Sequence, residues 1–138
     1  MNFDELNKLI LGEIILKIKK KKGLYIFAQN RSKFEGWLKV ELCDILYKNE
    51  INPIPEYTYK ISKKKNRKID IAFEDKEWAI ELKTINTNYN NENTYKKSRP
   101  ITNNVKDLEK DIEKLKNLNE FKNKAILFVV FPLEKDKD

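Results

Sequence analysis

The stretch RKIDIAFEDKEWAIELKT, residues 67–84, alternates apolar and polar residues along two arms. This period of two is typical of half-buried strands, and Asp75 and Lys76 between the arms are good turn residues. A turn centred there places Phe73 opposite Trp78 and matches aliphatic with aliphatic residues further along. A one-residue slip would break these matches, so the sequence predicts a β-hairpin with one register. Its apolar face is expected to consist of Ile69, Ile71, Phe73, Trp78, Ile80 and Leu82.

The other face of this hairpin is expected to carry Asp70, Ala72, Ala79, Glu81 and Lys83. The predicted register places Asp70 opposite Glu81, with Cβ atoms about 5 Å apart, where two carboxylates repel each other. A divalent cation would remove that repulsion, and hard carboxylate oxygens suit Mg²⁺ or Mn²⁺. Lys83, about 7 Å further along the strand, can position or activate water or offset charge on a phosphate. The alanines would leave room for a substrate backbone. The alternative is a solvent-facing surface on which Lys83 pairs with Glu81.

Missing residue types exclude several kinds of chemistry. The chain has no histidine, so a histidine-dependent nucleophile and a histidine-ligated zinc are excluded. A single cysteine, Cys43, excludes disulfides within the chain and fits a reducing, cytoplasmic location. None of the three glycines lies in a phosphate-binding loop, so a P-loop or Rossmann nucleotide-binding motif is excluded. The net charge of +7 favours a polyanionic partner, with a lysine-rich surface as the alternative. No signal or membrane segment is expected.

The remaining patterns predict an α/β protein with one domain, residues 1–138. Ser32 and Glu35 have the spacing of a helix capping box, and prolines 53 and 55 end the helix that follows. Residues 24–28 have no clear pattern, and residues 85–100 indicate a loop. The expected helices are 3–20, 32–49 and 103–121, and the expected strands are 56–61, 68–74, 77–84 and 124–132, the last buried on both faces. The alternating charges of the last helix indicate a solvated outer face.

The hairpin and the order of elements resemble the PD-(D/E)xK nuclease superfamily. Asp70 ends the sequence "KID", "ELK" follows at residues 81–83, and Ile69 replaces the proline of the motif. Elements in residues 32–131 are similar to the α-β-β-β-α-β core of that superfamily, and residues 1–31 form a helical extension. The "FE" of Phe34 and Glu35 resembles Mrr-type restriction domains and Holliday junction resolvases. The resemblance implies a restriction endonuclease-like fold, with a mixed central sheet flanked by helices and an extra N-terminal helix.

This resemblance implies Mg²⁺-dependent hydrolysis of DNA phosphodiester bonds. Asp70, Glu81 and the backbone carbonyl of Leu82 would bind the metal, and Lys83 would act on the water. A helix glutamate often completes such sites. Either Glu35 or Glu41 can fill this role, because both flank the apolar stripe of the helix, and the capping box offers Glu35 a purely structural role.

Two basic runs are candidate DNA contacts because they lie beside the predicted site. The residues are Lys63, Lys64, Lys65, Arg67, Lys96, Lys97 and Arg99. One site cuts one strand, so cleavage of both strands requires a homodimer or a partner subunit. The sequence leaves open restriction, junction resolution and repair. The alternatives are a catalytically inactive nucleic-acid-binding or interaction module on the same fold, and a plain structural domain.

Overall fold

The computed structural model describes residues 1–87 and 101–131. The helices are α1 (Phe3–Lys20), α2 (Lys22–Gln29), α3 (Glu35–Lys48) and α4 (Ile101–Lys116). The strands are β1 (Ile54–Ser62), β2 (Lys65–Phe73), β3 (Trp78–Asn86) and β4 (Asn123–Phe131). The predicted order of elements is therefore confirmed, and α2 occupies the stretch that had no clear pattern. None of the described helices combines the length and apolar character needed to cross a bilayer.

The four strands form one mixed sheet in the order β1-β2-β3-β4. β1, β2 and β3 are antiparallel neighbours, whereas β4 runs parallel to β3. Phe73 pairs with Trp78 and Ile71 with Ile80, as the sequence predicts. The turn is also confirmed: Asp75 and Lys76 both have positive φ, as in the type I′ turns that match the twist of a hairpin.

One face of the sheet packs against α1 and α3. Leucines and isoleucines recur at helical spacing in both helices, and their buried stripes meet the apolar residues of the hairpin. The resulting core includes Ile10, Ile14, Leu38, Leu42, Ile45, Ile71, Phe73, Trp78, Ile80 and Leu82. This core anchors the hairpin whose charged residues form the candidate site.

The opposite face packs against α4 and the residues that follow it. Its core contains Ile69, Ala72, Ala79, Leu115, Leu118 and Phe121. The prediction that the alanines leave space for a substrate is therefore wrong: both are fully buried, and their small size lets the helix approach the sheet. The prediction that Ile69 shares a face with Ile71 is also wrong, because strand alternation breaks between these two residues.

Three further predictions differ from the structure. The capping box is absent, because α3 begins at Glu35 with Phe34 as N-cap and no side chain caps it. β4 is an edge strand of the described sheet, and Phe128 is 52% exposed, so the strand is not buried on both faces. The charged face of α4 is not wholly solvated: Asp111 and Lys114 pair with residues of β3.

Candidate functional site

The hairpin opens at Asp70. Pairing of β2 with β3 stops at Ile71 and Ile80. The β1–β2 ladder skips Asp70 and Glu56, which regular pairing would place opposite each other. The Leu82 backbone N–H instead donates to the Asp70 carboxylate, with 2.7 Å between N and Oδ2. The Asp70 side chain thus takes the place of a backbone acceptor, and its carboxylate lies in the gap between β2 and β3.

The carboxyl groups of Asp70 and Glu81 lie close together at this gap, near enough for each to shift the pKa of the other. Glu81 is only 5% exposed. Burial, together with the nearby charge of Asp70, raises the pKa of Glu81 from an ordinary 4.5 to about 7. Burial by itself would raise the pKa of Asp70 as well. Hydrogen bonds from the Leu82 N–H and from Lys39 outweigh burial and hold the pKa of that carboxyl below its usual value. Glu81 is therefore the member of the two that binds a proton first as the pH falls.

Two lysines from opposite helix layers contact Asp70 and Glu81, which are here called the acid pair. Lys39 of α3 lies 2.9 Å from Asp70 Oδ1, and Lys114 of α4 forms an ion pair with Glu81. Sequence reasoning missed both, although Lys39 lies one helical turn beyond Glu35 and therefore on the same side of α3. The site is thus assembled between the two helix layers rather than on an open strand face.

Lys83, two residues beyond Glu81 on β3, lies in an acidic environment. Its ammonium is 2.9 Å from Asp111 Oδ2 on α4. Burial disfavours the ammonium, but the Asp111 carboxylate and the charges of Glu35 and Asp107 outweigh burial and raise the pKa of Lys83 above 10.5. Lys83 is therefore charged at neutral pH, which suits positioning of water and stabilisation of negative charge rather than removal of a proton.

The structure separates the two candidate helix acids. The Glu35 carboxylate accepts a hydrogen bond from the Thr84 backbone N–H, with 3.0 Å between N and Oε1. This contact replaces the expected capping role and places Glu35 next to Lys83. Glu41 instead forms an ion pair with Lys17 of α1, at 2.8 Å. Glu35 is therefore the helix acid that lies beside Lys83.

The donor atoms of the acid pair fit a divalent cation. Two neighbouring carboxylates provide hard oxygen ligands, and a doubly charged ion removes the repulsion that keeps Glu81 partly protonated. Within residues 1–87 and 101–131, no three acidic or cysteine side chains surround a common point. Asp70 and Glu81 would therefore hold the ion together with the Leu82 carbonyl, water and substrate oxygens.

The predicted DNA contacts fall into two groups. Lys63, Lys64, Lys65 and Arg67 are all exposed and lie at the tip and outer half of the β1–β2 hairpin. The second group, Lys96, Lys97 and Arg99, lies outside the described residues. The structure thus places four candidate contacts on one element that leads to Asp70.

In comparisons with known proteins, no family model, no curated protein and no solved structure matches the chain.

Proposed function

We propose that the protein is a metal-dependent endodeoxyribonuclease with a restriction endonuclease-like fold of the PD-(D/E)xK type. The observation that carries this proposal is the opening of the hairpin, where the Asp70 carboxylate accepts from the Leu82 N–H beside the buried Glu81 side chain. Burial of two neighbouring acids is destabilising unless a cation or a proton compensates for their charge. A site for a divalent cation gives that arrangement a function.

Each residue of the site has a proposed role. Asp70, Glu81 and the Leu82 carbonyl hold Mg²⁺, or Mn²⁺ in its place, and Glu35 supports the arrangement from α3. A bound divalent ion polarises a phosphate oxygen and lowers the pKa of bound water. Lys83 positions the attacking water and stabilises the negative charge that develops on the phosphate. A single site hydrolyses one strand, so cleavage of both strands requires a second copy or a partner subunit.

A second candidate function is a nucleic-acid-binding or interaction module without catalytic activity. The ion pairs of Lys39 with Asp70, Lys114 with Glu81 and Asp111 with Lys83 favour it, because together they compensate for the site's charges without a metal. The two functions differ in one respect: only the nuclease cuts DNA when a metal is added.

The wild-type protein should cleave DNA in Mg²⁺ or Mn²⁺ and leave it intact in EDTA. The test uses plasmid, single-stranded, branched and RNA substrates, with products separated by electrophoresis. We expect Lys83→Ala to reduce the cleavage rate by about 10²-fold or more, because a positioned ammonium is lost. Lys48→Ala, which removes a surface partner of Asp44, is the control and should retain the wild-type rate. DNA binding without metal-dependent cleavage would favour the second candidate.

The pair Glu35→Gln and Glu41→Gln tests the role of the helix acid. Both changes remove one charge from α3, and glutamine at position 35 retains an oxygen that can accept from Thr84. We expect Glu35→Gln to reduce cleavage at least tenfold, whereas Glu41→Gln stays near the wild-type rate. Initial rates at saturating metal measure both. Equal effects of the two substitutions would remove Glu35 from the site.

A further inference from the structure

Among the described residues, the outer half of the β1–β2 hairpin is separated from β3. β1 and β2 remain paired from Thr58 and Lys68 to Ser62 and Lys65, whereas β3 pairs with β2 only from Ile71 onward. Residues 58–68, here called the basic arm, therefore form a two-stranded ribbon. At about 3.3 Å per residue, it is roughly 17 Å long.

The basic arm carries charge of one sign. It contains six basic residues and no acidic residue, and all six are exposed: Lys60, Lys63, Lys64, Lys65, Arg67 and Lys68. Lys68 pairs with Glu56 at 3.6 Å, and both side chains are more than half exposed. Because such exposed pairs interact weakly in water, most of the arm's positive charge is directed toward solvent.

The base of the basic arm adjoins the acid pair. Asp70 lies two residues beyond the arm on the same strand. A cavity of about 300 Å³ between the arm and the end of α4 is lined by Tyr59, Arg67 and Lys114, among others. Since Lys114 also pairs with Glu81, basic groups extend from the arm to the acid pair.

We propose that the basic arm inserts into the major groove of double-stranded DNA and thereby presents a strand of the duplex to the acid pair. The major groove of B-form DNA is about 12 Å wide and admits a two-stranded ribbon. The major groove of an RNA duplex is deep and narrow, so the arm fits it poorly. The six basic residues supply contacts to phosphates on the groove walls. This inference rests on the proposed nuclease function, but binding alone can test it.

The experiment compares two charge-matched triple variants. One is Lys63→Gln, Lys64→Gln and Lys65→Gln in the arm; the other is Lys20→Gln, Lys21→Gln and Lys22→Gln. The control lysines are also exposed, and two of them line a groove beside β4, at the other edge of the sheet. Fluorescence anisotropy in EDTA measures the Kd for a 20-base-pair DNA duplex, its single strand and the corresponding RNA duplex, over a range of salt concentrations. A single Lys64→Glu variant provides a second test if the triple variant unfolds, as judged by circular dichroism.

We expect the arm variant to bind the DNA duplex roughly tenfold or more weakly, and its log–log salt slope to decrease by up to about 2.7, or 0.9 per lost phosphate contact. The control variant should lose much less affinity. An equal loss in both variants would overturn the proposal, as would single-stranded DNA or duplex RNA binding as tightly as duplex DNA. If the arm variant alone loses duplex binding while no protein cleaves DNA, this inference stands and the nuclease function fails.

Discussion

We expect the Asp70→Asn protein to lose metal-dependent DNA cleavage by on the order of 10³-fold or more, roughly 4 kcal/mol of transition-state stabilisation. Asparagine has nearly the same shape and retains an oxygen that can accept from the Leu82 N–H, so the opening of the hairpin is preserved. It removes the negative charge that would bind the cation. Initial rates in Mg²⁺ and Mn²⁺ measure the effect.

The control for this variant is Asp44→Asn, which removes a carboxylate paired with Lys17 and Lys48 on the surface. It should keep wild-type activity. Asp70→Asn also provides a readout independent of catalysis: without the Asp70 charge, the pKa of Glu81 should fall from about 7. The midpoint of a pH titration of Glu81, followed by carboxyl NMR in EDTA, would report this fall. Cleavage within tenfold of wild type would remove Asp70 from the catalytic site.

The second large effect concerns how the free energy of unfolding depends on pH, and we expect the Glu81→Gln substitution to remove that dependence. The folded protein holds the Glu81 proton to about pH 7, whereas the unfolded chain releases it near 4.5, so unfolding releases a proton between these values. The free energy of unfolding therefore falls as pH rises through this window, by at most about 3 kcal/mol from this group. In the Glu81→Gln protein this fall should disappear, and the variant should be more stable than wild type at pH 8, although it no longer cleaves DNA.

Urea unfolding in EDTA at pH 5, 6, 7 and 8 measures this effect. The chain has no histidine that could titrate between pH 4.5 and 7. Among the described residues, the other pKa shifts move away from this range, because they are downward for aspartates and upward for lysines and Cys43. Glu41→Gln removes one charge from a surface ion pair, which interacts weakly in water, and should keep the wild-type pH dependence. A wild-type stability that is flat from pH 5 to 8 would contradict the prediction.

Magnesium should counteract the instability at high pH. An ion that binds the folded protein alone raises the free energy of unfolding in proportion to the logarithm of its concentration. We expect millimolar Mg²⁺ to raise the Tm of the wild-type protein at pH 8 and to leave that of Glu81→Gln nearly unchanged. This comparison tests metal binding at the acid pair without depending on a DNA substrate.

The parts of the site that could be predicted from sequence are those that depend on neighbours in one hairpin. The two-residue period of apolar side chains and the pairing of Phe73 with Trp78 specify the strand register. That register brings Asp70 and Glu81 to the same end of the β2–β3 ladder. One residue further the prediction is wrong: strand alternation predicts a regular ladder through Asp70, whereas the structure replaces that pairing with a side-chain contact to the Leu82 N–H.

The hairpin, its turn, the order of elements and the pair of acids could be predicted from the chain alone, because strand alternation and turn chemistry are local. Packing in three dimensions sets the remaining features: Glu35 rather than Glu41 lies beside Lys83, the alanines are buried under α4, and Lys39 and Lys114 pair with the acids. These features depend on how each helix is rotated and docked against the sheet. Packing between residues far apart in the chain sets that rotation, and a helical pattern with charges on both flanks of its apolar stripe does not specify it.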